Sequence, residues 1–130
     1  MNDLALAVVD DDEAMRALIA DMLSRHAPEI ATFATGADWL QALQPGRYAQ
    51  LILDLSLPDM DGFDLLGRMA EQGCILPLLL ISGHAQSTVQ AAMLYARGLG
   101  FTQARMLCKP FSRTDLLLAL GLPQTSVVAA

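Results

Sequence analysis

Basic charge is scarce in this chain: 8 lysines and arginines stand against 14 acidic residues, a formal net charge of −6. Gripping a phosphate backbone takes clustered cations, so direct nucleic-acid binding is not expected. Cysteine is equally sparse. Cys74 and Cys108 each sit beside apolar residues, which fits small hydrophobes in a reducing compartment better than a bridge. Long hydrophobic runs are also missing, since Ile75 to Ile81 and Leu116 to Leu122 fall short of the ~20 residues of a membrane helix. The opening Met1-Asn2-Asp3 is acidic where a secretion signal is basic, so no membrane contact and a cytoplasmic location are the expectations. No internal repeat interrupts the 130 residues, which suit one domain over 1–122 and a flexible tail over 123–130.

What the chain does have is short apolar runs that end in polar residues. Leu4 to Val9 runs into Asp10, Asp11 and Asp12; Leu51 to Leu53 runs into Asp54; Leu76 to Ile81 runs into Ser82; Ala104 to Cys108 runs into Lys109. With Ile30 to Ala34 these make five strands. Between them lie helical spacings: Met15, Leu18, Ile19, Met22 and Leu23; then Trp39, Leu40 and Leu43 after a Thr35-Gly36 cap; then Phe63, Leu66, Met69 and Ala70; then Val89, Met93 and Ala96 within 85–97. Ser112 with Asp115 forms a capping box for a last helix carrying Leu116, Ala119 and Leu120. Strands alternating with helices predict a doubly wound α/β fold, a five-stranded parallel sheet covered on both faces. The polar strand ends then share one edge, the edge where such sheets hold ligands.

Three carboxylates gathered there would repel, each close pair costing about 1 kcal/mol in water and about 4 at an effective dielectric of 20. Hard oxygens in that number suit Mg²⁺. With a Ser82 hydroxyl and the ammonium of Lys109, the only lysine in the chain, the set matches phosphoryl transfer onto a carboxylate nucleophile. Taken singly the residues have plainer readings. An acidic run such as Asp10 to Asp12 is usually a helix start, Asp59, Asp61 and Asp64 suit loop and capping positions, and Ser82 could satisfy backbone groups at a strand end. Leu94, Tyr95, Leu99, Phe101 and Met106 read as core, or as a partner surface if one helix face cannot bury them all.

In order, VVDDDEAMR, LILDLSLPDMDGFDLL, LLLISGHA and CKPF resemble the receiver domain of two-component response regulators, with a flavodoxin-like, CheY-like (βα)5 fold, over nearly the whole chain. The resemblance implies that Asp54 accepts a phosphoryl group from the phosphohistidine of a sensor histidine kinase or histidine phosphotransfer protein. It also implies that Asp10 and Asp11 hold Mg²⁺, with Asp11, Asp54 and the Ser56 backbone carbonyl as direct ligands. Ser82 would be the switch hydroxyl, Lys109 the phosphate-binding lysine, and Pro110 would follow a cis peptide. Ser56 and His84 would tune how long the phosphoryl group survives. Such a domain is a signalling switch, not a turnover enzyme, and it acts on a downstream protein or output domain through its fourth helix, fifth strand and fifth helix, with a phosphorylation-induced homodimer among the outcomes.

Two departures stand out. Met106 occupies the usual aromatic position three residues before the lysine, and the span from Ser82 to Lys109 is several residues longer than in a typical receiver. The ending RGLGFTQARMLCKPF is similar to receivers joined to cyclic-di-GMP phosphodiesterase domains, which makes a fragment of such a regulator one alternative. A phosphate-independent interaction module is another. A metal-dependent phosphohydrolase is a third, although Ser56 stands where its second aspartate belongs.

Overall fold

A computed structural model describes residues 5–83 and 86–123. Five strands, β1 (Ala5–Val9), β2 (Ile30–Phe33), β3 (Tyr48–Asp54), β4 (Leu78–Ser82) and β5 (Ala104–Cys108), alternate with five helices, α1 (Glu13–Leu23), α2 (Gly36–Gln41), α3 (Gly62–Glu71), α4 (Gln86–Leu99) and α5 (Arg113–Leu120). All strand pairings are parallel, in the order β2-β1-β3-β4-β5. Chain order reverses between β1 and β3, the switch point at which doubly wound sheets open a crevice above their strand ends.

Alternation along each strand divides the core into two halves. Ala7, Val9, Leu51, Leu53, Leu78 and Leu80 face one way, packing with Trp39 of α2, Leu65, Leu66 and Met69 of α3, and Ala92 and Ala96 of α4. Val8, Ile52, Leu79 and Ile81 face the other, against Ile19 and Leu23 of α1 and Leu116, Leu117 and Leu120 of α5. Strands buried on both faces are why these runs are continuously apolar instead of alternating. The capping box of α5 is present, with Ser112 Oγ accepting from the Asp115 N–H and Asp115 accepting from the Ser112 N–H.

Several boundaries differ from the sequence expectation. The central strand begins at Tyr48, not Leu51, because Gln50 is tolerated: its side-chain amide donates to the Leu120 carbonyl at 3.1 Å. Helix α2 has only six residues and Leu43 lies past its end. Strand β4 starts after Pro77, which has no N–H to give a ladder, and it includes Ser82. Leu18, which has the core spacing, is 45% exposed, and Cys108 is exposed while Cys74 is buried; both thiols are free. Among the former core-or-partner residues, Phe101 is fully buried, whereas Leu94 is 71% and Tyr95 40% exposed. Leu4, His84, Ala85 and the tail from Gln124 onward lie outside the described residues. No helix among the described residues is long and apolar enough to cross a membrane.

Candidate functional site

Register brings the polar strand ends together. Val9 pairs with Leu53, Asp54 with Ile81, and Ser82 with Cys108, so Asp10, Asp54, Ser82 and Lys109 emerge side by side at the carboxyl edge. Asp10, Asp54 and Ser82 are buried. The N–H of Lys109 donates to the Ser82 carbonyl at 2.9 Å, extending the β4–β5 ladder by one rung and fixing where the lysine stem begins. The Lys109-Pro110 peptide that follows is cis.

The lysine ammonium is the centre of the cluster. Nζ lies 3.0 Å from Asp54 Oδ2 and 3.1 Å from Asp10 Oδ2. The opposite oxygens are held by the backbone: Asp54 Oδ1 accepts from the Ser56 N–H and Asp10 Oδ1 from the Asp12 N–H, each at 2.9 Å. Asp11 is exposed, and oxygens of Asp10, Asp11 and Asp54 come within 4.8 Å of one another. Three hard carboxylate donors that close fit a divalent cation, since one ammonium cannot offset three negative charges.

Asp10, Asp11, Asp54 and Lys109 thus lie together and Ser82 ends the neighbouring strand, whereas His84 is outside the described residues. Asp10 faces the lysine while Asp11 faces out. Asp12 caps α1, accepting from the Ala14 and Met15 N–H groups. Asp61 caps α3 through the Phe63 N–H. Sequence reasoning did not find Arg16, whose guanidinium donates to the Asp10 carbonyl at 2.8 Å and so pins the turn carrying both acids. Nor did it find the double contact of Asp59, which accepts from the Gly36 and Ala37 N–H groups at 3.0 and 3.1 Å. Those bonds hold the Asp59 carboxyl below its ordinary range. Only the neighbouring helix-turn spacing signals the first, and nothing local signals the second.

Electrostatics act differently on buried Asp10 and half-buried Lys109. Burial pushes the Asp10 carboxyl upward, and the Asp54 charge adds to that; the Asp12 N–H and Lys109 pull down without reversing it. Burial alone would lower the Lys109 ammonium, but the hydrogen bonds and charges of Asp54 and Asp10 outweigh it and raise the pKa above the ordinary lysine value. A carboxyl raised on folding contributes stability that is present below its ordinary value of 3.8 and lost as pH climbs through the folded-state value. Asp10→Asn is accordingly expected to raise the unfolding free energy by about 1 kcal/mol at neutral pH without divalent cation, and not at pH near 3. Urea unfolding at the two pH values checks this; destabilisation at neutral pH would contradict it.

The protein is thus of the doubly wound α/β class, with a carboxylate–ammonium–carboxylate cluster and a third carboxylate gathered at the carboxyl edge of its sheet. Residues 6–121 match the response regulator receiver domain family, and the chain belongs to it. Among similar proteins, the transcriptional regulatory protein TcrA of Mycobacterium tuberculosis is 29% identical over 120 residues, covering 92% of this chain and 46% of the relative. A response regulator structure from Colwellia psychrerythraea superposes with a TM-score of 0.80 at 25% identity, covering 92% of this chain and 95% of that one. The Vibrio cholerae chemotaxis protein CheY4, at 24% identity and a TM-score of 0.78 over 92% of this chain and 98% of that one, shares the fold. The chain spans about half the length of the curated relatives it matches. It is thus a two-component receiver domain with the CheY-like architecture, a signalling module by family.

Proposed function

We infer that this domain is a phosphorylation-controlled switch with Asp54 as phosphoacceptor. The observation that carries this is the lysine ammonium at 3.0 and 3.1 Å from two buried carboxylates, a cation already seated where a phosphoryl oxygen would arrive. An Asp54 oxygen attacks phosphorus in line, the P–N bond of a phosphohistidine on a sensor histidine kinase or histidine phosphotransfer protein breaks, and the imidazole leaves. An acyl phosphate remains. Lys109 moves from the bare carboxylates to a phosphoryl oxygen, and the Ser82 hydroxyl donates to another. Asp11, Asp54 and the Ser56 carbonyl would hold Mg²⁺ directly with Asp10 beside them, and the bound ion would supply neutralisation of charge on the transferring group.

Capture of the phosphoryl group by Ser82 and Lys109 would repack α4 and β5 and shift a two-state equilibrium. The surface this would alter is already apolar: Leu94 is 71% and Leu118 59% exposed, and Met106 joins Gln90, Met93, Leu94 and Arg97 around a groove of about 310 Å³. With Met106 in place of an aromatic switch residue, the output leaves by a route other than aromatic rotation. Its receiver is a downstream protein or an output domain in a longer cytoplasmic chain, a cyclic-di-GMP phosphodiesterase being one alternative, and phosphorylation-induced dimerisation is tested by sizing.

Incubation with acetyl phosphate should add one phosphate per chain in the presence of Mg²⁺ and none with excess chelator, read by intact-protein mass. Uptake that ignores Mg²⁺ would point away from this chemistry, and no uptake in either condition would favour a phosphate-independent module.

A further inference from the structure

The β3–α3 loop, residues 55–61, carries the Ser56 carbonyl, and the way that loop is anchored bears on the metal site. Its first residue is fixed by the sheet, the Leu55 N–H donating to the Ile81 carbonyl at 3.1 Å. Its last is fixed by α3, which Asp61 caps. The ends also close on each other: a Cβ at Gly62 would lie 2.9 Å from Leu55 Cδ2 and 3.5 Å from its backbone. Between these ends Ser56 is exposed, and its own N–H is turned inward to Asp54. Among the described residues, the Asp59 carboxylate, three residues beyond Ser56, ties the middle of the loop to another element by hydrogen bonds.

That tie is two-pronged. Oδ1 accepts from Gly36 at 3.0 Å and Oδ2 from Ala37 at 3.1 Å, 23 and 22 residues away in sequence. A planar carboxylate bound at both oxygens has its orientation fixed, not only its distance, and charge-assisted bonds to N–H groups are the stronger kind. Met60 reinforces the seat, since a Cβ on Gly36 would come 3.1 Å from its Sδ. The next N–H of α2, that of Asp38, is capped separately by Thr35 Oγ1 at 3.0 Å. The helix start is thus held from two sides, once by its own chain and once by the loop.

We propose that Asp59 is a positioning residue for the cation site: by clamping the loop to the first turn of α2 it holds the Ser56 carbonyl in place as a ligand. The proposal rests on the metal-dependent phosphoacceptor reading above. Outer residues that orient metal ligands typically cost 10–100-fold in affinity when removed, and the lower end applies to one carbonyl among several oxygens.

The test is a Mg²⁺ titration of phosphoryl uptake from acetyl phosphate by the wild type, Asp59→Ala, Asp59→Asn and Thr35→Ala, with folding checked by circular dichroism. Asp59→Ala should raise the half-saturating Mg²⁺ concentration about tenfold while leaving the plateau rate unchanged. Asp59→Asn, whose amide keeps one acceptor oxygen, should fall between. Thr35→Ala, which weakens the same helix start without touching the loop, should match the wild type. An unshifted midpoint in the Asp59 variants, or an equal shift in Thr35→Ala, overturns the proposal; if Asp59→Ala does not fold, Asp59→Asn decides. A wild type that takes up no phosphate would defeat the phosphoacceptor reading instead, and calorimetric Mg²⁺ binding to the same four proteins would then still decide the role of Asp59.

Discussion

Replacing Lys109 with methionine should destabilise the domain by about 2–4 kcal/mol at neutral pH without divalent cation, somewhat less than the roughly 3–5 kcal/mol for breaking a fully buried ion pair. Methionine retains most of the aliphatic stem, so the change isolates the charge. Asp10 has no exposed surface and Asp54 almost none, while the lysine side chain is 21% exposed, so some solvent screening applies and the full penalty is not expected. The loss should shrink on acidification, because protonated carboxyls no longer need a cation. In the wild type the lysine also sets an alkaline limit, separate from that acid one: the Lys109 ammonium, raised on folding, contributes stability that holds around its ordinary value of 10.5 and is lost as pH rises through the higher folded-state value. Mg²⁺ should return part of what Lys109→Met loses, since a dication offsets the same charges. Urea unfolding with and without Mg²⁺ measures both effects. A variant as stable as the wild type at neutral pH would mean that the ammonium is not what lets two buried carboxylates coexist.

Asp54→Asn should have the opposite effect on stability and a far larger one on chemistry. Removing one of the negative charges that crowd Asp10 and Asp11 is expected to stabilise the metal-free domain by about 1 kcal/mol. The amide can still accept from the Ser56 N–H at the position Asp54 Oδ1 now holds, so the loop keeps its bond. An amide oxygen is a poor nucleophile and gives no stable acyl phosphate, so uptake from acetyl phosphate should fall by at least about 100-fold. Intact-mass measurement over a time course checks this. Loss of uptake accompanied by unfolding would not count in its favour, which is why thermal stability is measured on the same sample.

Much of this site was legible in the chain because its residues announce themselves at strand ends. A run such as Leu51 to Leu53 that stops at a carboxylate, or Ala104 to Cys108 that stops at the only lysine, marks an edge whatever the fold's details. The parallel sheet followed from strands alternating with helices. The resemblance to receivers then gave the edge residues their roles, and the structure seats the Asp10 and Asp54 carboxylates on the Lys109 ammonium.

What the chain did not disclose were interactions without a period. Gln50 looks like the end of a strand until its amide is seen on the Leu120 carbonyl, 70 residues away. Asp59 reads as an ordinary loop acid, yet both of its oxygens are spent on α2. Leu18 has the spacing of a core residue, but the stripe buried by α1 is narrow and is filled by Ile19 and Leu23. Side-chain bonds to distant backbone and the width of a helix's buried stripe are set by tertiary geometry, which hydropathy spacing does not encode.

The most direct measurement is to locate the modification. After reaction with acetyl phosphate and Mg²⁺, borohydride reduction converts an aspartyl phosphate to homoserine, and peptide mapping reads which residue changed. The expected result is conversion at Asp54 alone. Conversion at Asp10 or Asp11, or a phosphate that survives on a hydroxyl with Asp54 untouched, would contradict Asp54 as the acceptor.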